Sequence, residues 1–290
     1  MRTLLLLALA LTLLNCTNKD PLSDDYLKDL RMYRAEKMQS RKDGYLKLVA
    51  LQKMTENTNI FGKYKENNLQ LDIEALPDTL GVFEFIDGII NFRATIEGVT
   101  TEKDSAILAM DLILDEAGNS QKLVYDRFEW MIITRGNAPY LRVWDAKNPE
   151  IEAFKGFEFF ETTPEMTFEA QFEYFEAERN EIVQSKLGVE ASTKFIGQLR
   201  FEHQGTTHTL DVGRNGFVMV SDLTNGSSTY GGGRYVYIDL PVENGSVTLD
   251  FNKLYNPPCS FNAFTTCLIP PRQNRLPFEI RAGETLARVK

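Results

Sequence analysis

Apolar and polar residues alternate in short runs along most of this chain, and tight-turn dipeptides separate the runs. From Gly44 onward the pattern predicts strands at Gly81–Ile86, Ile89–Ile96, Ala106–Leu114, Tyr125–Ile133, Leu141–Trp144, Met166–Phe175, Lys194–Glu202, Phe217–Val220, Arg234–Leu240 and Val247–Phe251. In one of them Phe168, Ala170, Phe172 and Tyr174 fall on one face, and Glu169, Gln171 and Glu173 on the other, as a half-buried strand requires. Asp87-Gly88, Gln204-Gly205, Asn215-Gly216 and Asn244-Gly245 supply the positive φ angles of tight hairpins. Nothing after about residue 55 demands a long helix. The expected fold is all-β, a sandwich or barrel built as two packed β lobes, 44–160 and 161–290.

Ahead of the lobes the period changes. Ser23 is placed as an N-cap, and Leu27, Leu30, Tyr33 and Met38 follow at helical spacing with charges filling the remaining face. Residues 17–43 therefore read as a tether and an amphipathic helical arm. Before it, Met1-Arg2 and the apolar run Leu4 to Leu14 form the core of a signal peptide, too short to span a bilayer comfortably. Leu13-Leu14-Asn15-Cys16 resembles a bacterial lipobox, which implies that residues 1–16 are a lipoprotein leader and that Cys16 carries the lipid. An uncleaved leader or a chance cysteine are the alternatives. Several acyl chains would then make a membrane the first partner, at about 0.8 kcal/mol per buried CH₂. Thr17 and Asn18, with no Asp beside the lipid, resemble the signal for outer-membrane retention.

The charge narrows the remaining partners. A formal net charge of −9 repels phosphate backbones, so nucleic acid is not expected. The acid concentrates between Glu150 and Glu181 and reads as a solvated face rather than a cation-binding surface.

Several chemistries lack their residues. His203 and His208 are the only histidines, and no G-x-S-x-G elbow accompanies them, so a serine-hydrolase triad has little to stand on. Gly231-Gly232-Gly233 leads into a strand, whereas phosphate loops lead into a helix N-terminus. No metal site and no cofactor are expected. Cys259 and Cys267 would be the two thiols left once Cys16 is lipidated, and bridging is the default in an oxidising envelope. Buried free thiols, or metal or redox work, remain open for them.

Register supplies the candidate site. With Asn244-Gly245 as a two-residue turn, Asp239 would face Asp250 and Tyr237 would face Asn252. Two carboxylates set directly opposite lie about 5 Å apart and repel. A shared cation, with Arg234 or Arg275 as its source, would compensate them. The candidate ligand-binding residues are thus Arg234, Asp239, Asp250, Asn252, Asn274 and Arg275; no catalytic residue is assigned. The spacing would also suit a retaining glycosidase, although two tryptophans are few for a sugar cleft.

The density of special residues after Asp222 carries a family resemblance. Thr229-Tyr230, Gly233-Arg234, Asp250-Phe251-Asn252 and Tyr255-Asn256-Pro257-Pro258-Cys259 are followed by Thr266-Cys267, Pro270-Pro271, Asn274-Arg275-Leu276 and Ala282-Gly283-Glu284. This set resembles the bacterial domain of unknown function 1684 family, a resemblance that implies no activity. The expected function is a non-enzymatic envelope lipoprotein that binds a small polar ligand or partner. The alternatives are a hydrolase of an envelope glycan or ester using Asp239 and Asp250, and a structural assembly subunit.

Overall fold

A computed structural model describes residues 21–289, apart from Glu56, Lys186, Leu187 and Val189. The leader and Cys16 lie outside the described residues. The first element is helix α1 (Asp24–Asp43), capped as expected by Ser23, whose side chain accepts from the Tyr26 N–H at 3.1 Å. Asp24 and Asp25 in its first turn and Arg41 and Lys42 in its last suit the helix dipole.

The first lobe follows as β1 (Leu48–Lys53), β2 (Asn59–Gly62), β3 (Leu69–Gln70), β4 (Gly81–Ile86), β5 (Ile89–Ala94), β6 (Thr100–Thr101), β7 (Ala109–Leu112), β8 (Leu123–Tyr125), β9 (Phe128–Arg135) and β10 (Ala138–Asp145). They form two five-stranded sheets, ordered β1-β10-β9-β8-β6 and β3-β2-β4-β5-β7. Both sheets contribute to one core. At its centre Trp130 packs 5.7 Å from the rings of Phe61 and Phe92. Asp87 and Gly88, with φ of 50° and 81°, turn β4 into β5 in the expected two-residue hairpin.

The second lobe comprises β11 (Phe157–Phe159), β12 (Thr167–Gln184), β13 (Glu190–His203), β14 (Thr206–Gly213), β15 (Phe217–Val220), β16 (Arg234–Tyr237), β17 (Gly245–Asp250) and β18 (Glu284–Arg288). One sheet runs β14-β13-β12-β17, and β15-β16 and β11-β18 are two-stranded. Residues from Phe168 to Ala282 build a separate core. β11, which the sequence places at the end of the first lobe, pairs with β18 of the second. Strands hold 45% of the described residues against 16% helical, so the fold is all-β, and no sheet closes into a barrel among them.

The predicted β16–β17 hairpin is not formed. β16 pairs with β15, setting Arg234 opposite Val220, and β17 pairs with β12, setting Asp250 opposite Thr167. Neither Asn244 nor Gly245 adopts the positive φ that a type I′ turn needs. Asn244 spends its side chain elsewhere: its Oδ1 accepts from the Tyr174 N–H at 2.8 Å, while the Tyr174 hydroxyl donates to the Pro241 carbonyl at 2.7 Å. These contacts hold the 241–244 loop open along β12, whose edge receives β17.

Candidate functional site

α1 docks on the second lobe through one stripe, Tyr26, Leu30, Tyr33, Arg34, Lys37 and Arg41, spaced three or four residues apart apart from one adjacent pair. Only Leu30 and Arg41 in that stripe are fully buried, so the helix is fastened mainly by polar contacts. Tyr26 Oη donates to Asp250 Oδ2 at 2.9 Å, Tyr33 Oη to the Lys253 carbonyl at 2.9 Å, and Arg34 Nη2 to Thr162 Oγ1 at 3.1 Å. Arg41 makes a two-pronged ion pair with Glu284, at 2.7 and 2.8 Å. Glu284 also accepts from the Asn256 N–H at 2.6 Å. The sequence reading assigned the docking face to apolar residues and missed this polar stripe.

Where α1 meets β15, β16 and the segment after β17, a cavity of about 270 Å³ opens. Lys37 and Arg41 come from the helix, Phe217, Tyr235 and Tyr237 from the two strands, and Tyr255, Asn256 and Phe261 from the segment. The Lys37 Nζ lies 4.1 Å from the ring centroid of Tyr255, 5.2 Å from that of Tyr237 and 5.4 Å from that of Tyr33. These are cation–π distances. The Tyr237 and Tyr255 rings are nearly parallel, 6° apart in plane with centroids 6.5 Å apart. Burial first, and the neighbouring Arg41 charge second, lower the Lys37 pKa. Burial also drives the Tyr255 hydroxyl far above the usual phenol range, and Tyr237 and Tyr33 reinforce that shift, so it stays a neutral donor.

Asn256 stands out among these residues. It is 1% exposed, its Nδ2 donates to the Thr285 carbonyl at 2.7 Å, and its Oδ1 is buried without a hydrogen-bond partner among the described residues. The sequence showed Asn256 only as part of a Pro-rich motif; nothing local distinguishes an unpaired carbonyl from a paired one.

The six residues proposed from register do not assemble as a site. Arg234, fully buried, donates to Asp222 Oδ2 at 3.0 Å and to the carbonyls of Ile280, Ala282 and Glu284. Asp250 accepts from Tyr26, Thr167 and Asn252 and so fastens α1. Asn252 ties the Thr163 backbone through both its side-chain atoms. Asn274 clips Asp211 and Met219 with three bonds of 2.8 Å. Asp239 and Arg275 are exposed, and Asp239 lines a shallow groove whose walls include none of the other five. Among the described residues no arginine bridges Asp239 and Asp250: β17, which carries Asp250, pairs with β12, and Asp239 lies beyond the end of β16. His203 and His208 do approach, at 6.5 Å between ring centroids, but both rings pack on Phe278.

Cys259 and Cys267 sit at disulfide distance, with Cα atoms 6.0 Å apart. Their loop borders the cavity at Phe261 and reaches the first lobe, where Asn262 Nδ2 donates to the carbonyls of Tyr45 and Leu48 at 2.9 and 3.0 Å. Replacing both cysteines by alanine should lower stability by about 2–3 kcal/mol, the loop-entropy value for so short a ring. Thiol titration of the unfolded, unreduced protein should find neither cysteine free; two reactive thiols at these positions would refute the bridge.

Residues 152–285 match the family described as "Protein of unknown function (DUF1684)". The match supports the DUF1684 family. The DUF1684 segment contains the strand walls of the cavity and Asn256, whereas Lys37 and Arg41 come from outside it. An uncharacterized protein of Haloarcula marismortui, solved by NMR in solution, is 28% identical over 47% of this chain and 79% of its own, at a TM-score of 0.40. No curated protein matches the chain.

Proposed function

We propose that the protein is a non-enzymatic binding module of the bacterial envelope. It is held to a membrane, the outer one, through lipid on Cys16, and takes a small polar ligand between α1 and the second lobe. The observation that carries the reading is a cavity of about 270 Å³ whose wall includes Lys37, its ammonium set against the faces of Tyr237 and Tyr255 and without an ion pair among the described residues. Aromatic walls with a few convergent polar groups are also the usual make-up of a small-molecule site. The hydrolase alternative required Asp239 and Asp250 to face each other, and that pair does not form.

A panel of monosaccharides, sugar acids, hydroxybenzoates, polyols and amino acids should contain at least one compound that raises the thermal midpoint. That shift should vanish in Tyr237→Ala, which removes a half-exposed wall without touching the buried network. No shift across the panel, or a shift that persists in Tyr237→Ala, would remove support for this cavity as the site. The anchor has its own test: palmitate labelling of the expressed protein should disappear in Cys16→Ser, and labelling that survives would sink that part.

A further inference from the structure

Resting on the reading that this cavity binds a ligand, we infer that the ligand is a small ring-bearing carboxylate. Charge decides the sign. Among the described residues, no carboxylate forms an ion pair with Lys37 and no acceptor hydrogen-bonds its ammonium, whose neighbours are the faces of three tyrosines. Arg41 is already committed to Glu284. Among the described residues no acidic side chain lines the cavity. A ligand ammonium would meet the Lys37 charge and find the tyrosine faces taken. An anion instead gains a charge-assisted contact with a half-desolvated lysine.

The walls specify the body of the ligand. Tyr45, Phe217, Tyr235, Tyr237, Tyr255 and Phe261 make up most of the lining, and flat aromatic walls favour a flat apolar face, whether of an arene or of a sugar ring's C–H groups. One molecule must therefore bring an anion for Lys37 mounted on a flat-faced ring. A uronic acid and a hydroxybenzoate share this chemistry.

Calorimetric titration of the full chain with glucuronate and with 4-hydroxybenzoate tests the inference and separates the two sources. Glucose and 4-hydroxybenzamide serve as uncharged counterparts. At least one hydroxy-carboxylate should bind about tenfold or more tightly than its uncharged counterpart, as one charge-assisted bond implies. Its affinity should fall by a similar factor in Lys37→Gln and survive in Lys37→Arg, with far-UV circular dichroism unchanged in both. Failure of both hydroxy-carboxylates to bind overturns the inference. So does binding by uncharged counterparts that Lys37→Gln leaves unaltered; if such binding is lost in Tyr237→Ala, the cavity stands as the site and only the ligand class falls. A panel in which nothing raises the thermal midpoint fails the underlying reading itself.

Discussion

Replacing Arg234 with methionine is expected to cost about 3–5 kcal/mol, the usual penalty for removing one member of a buried ion pair. The side chains of Arg234 and Asp222 are both 0% exposed, and their ion pair measures 3.0 Å. Without the guanidinium, Asp222 keeps a charge in a site closed to water. The carbonyls of Ile280, Ala282 and Glu284 lose their common donor at the same time. Lysine should not rescue the position, because a single ammonium cannot reproduce a planar fork that spans a carboxylate and three carbonyls. Asp222→Asn in the Arg234→Met background should recover part of the loss, since it removes the stranded charge while keeping an acceptor for the Thr224 and Ile280 N–H groups. Chemical denaturation followed by far-UV circular dichroism gives the comparison. A loss below about 1 kcal/mol in Arg234→Met, or a double mutant worse than the sum of the singles, would show that this pair does not organise the C-terminal segment.

Local signals in the sequence survive well where local physics decides the outcome. β4 and β15 occupy the predicted residues, Ser23 caps α1, and Asp87-Gly88 makes its hairpin. Each depends on chain neighbours alone: an alternating face, a side chain reaching back to an N–H, two residues that tolerate positive φ. Partnering is different. Asn244-Gly245 carries the same turn signal as Asp87-Gly88, yet β17 pairs along the six residues Thr167–Phe172 of β12, where β16 is four residues long. The register argument inferred a site from repulsion between carboxylates that never meet. Four of the residues it selected, Arg234, Asp250, Asn252 and Asn274, are special because they are buried and hydrogen-bonded, whereas Asp239 and Arg275 are exposed. Lys37 escaped notice because a lysine on a charged helix face looks solvated. Its aromatic surroundings come from Tyr237 and Tyr255, about two hundred residues later in the sequence.

The same long-range logic makes Arg41→Leu the most informative change in α1. Arg41 and Glu284 are 243 residues apart, and their two bonds close one end of the helix onto the second lobe. Leu30 is the one fully buried apolar side chain in α1, worth about 1.5–3 kcal/mol of docking energy. Stranding Glu284 costs about 3 kcal/mol or more, although the Asn256 N–H still donates to it. The loss rivals what the apolar contact supplies, so the expected response is release of the helix rather than unfolding of the lobe. A penalty of that size raises the open population about a hundredfold. Tryptic cleavage at the exposed Lys28 and Arg31 should accelerate in proportion while cleavage elsewhere is little changed. Glu284→Gln should act in the same direction and more weakly, because the amide keeps one acceptor for Asn256 and Arg41 lies nearer solvent. α1 supplies Lys37 and Arg41 to the cavity, so release of the helix should abolish ligand binding along with protection. Unchanged cleavage at Lys28 and Arg31 in Arg41→Leu would mean that Tyr26, Tyr33 and Arg34 hold the helix without the ion pair, and that the Arg41–Glu284 contact contributes little to the docked state.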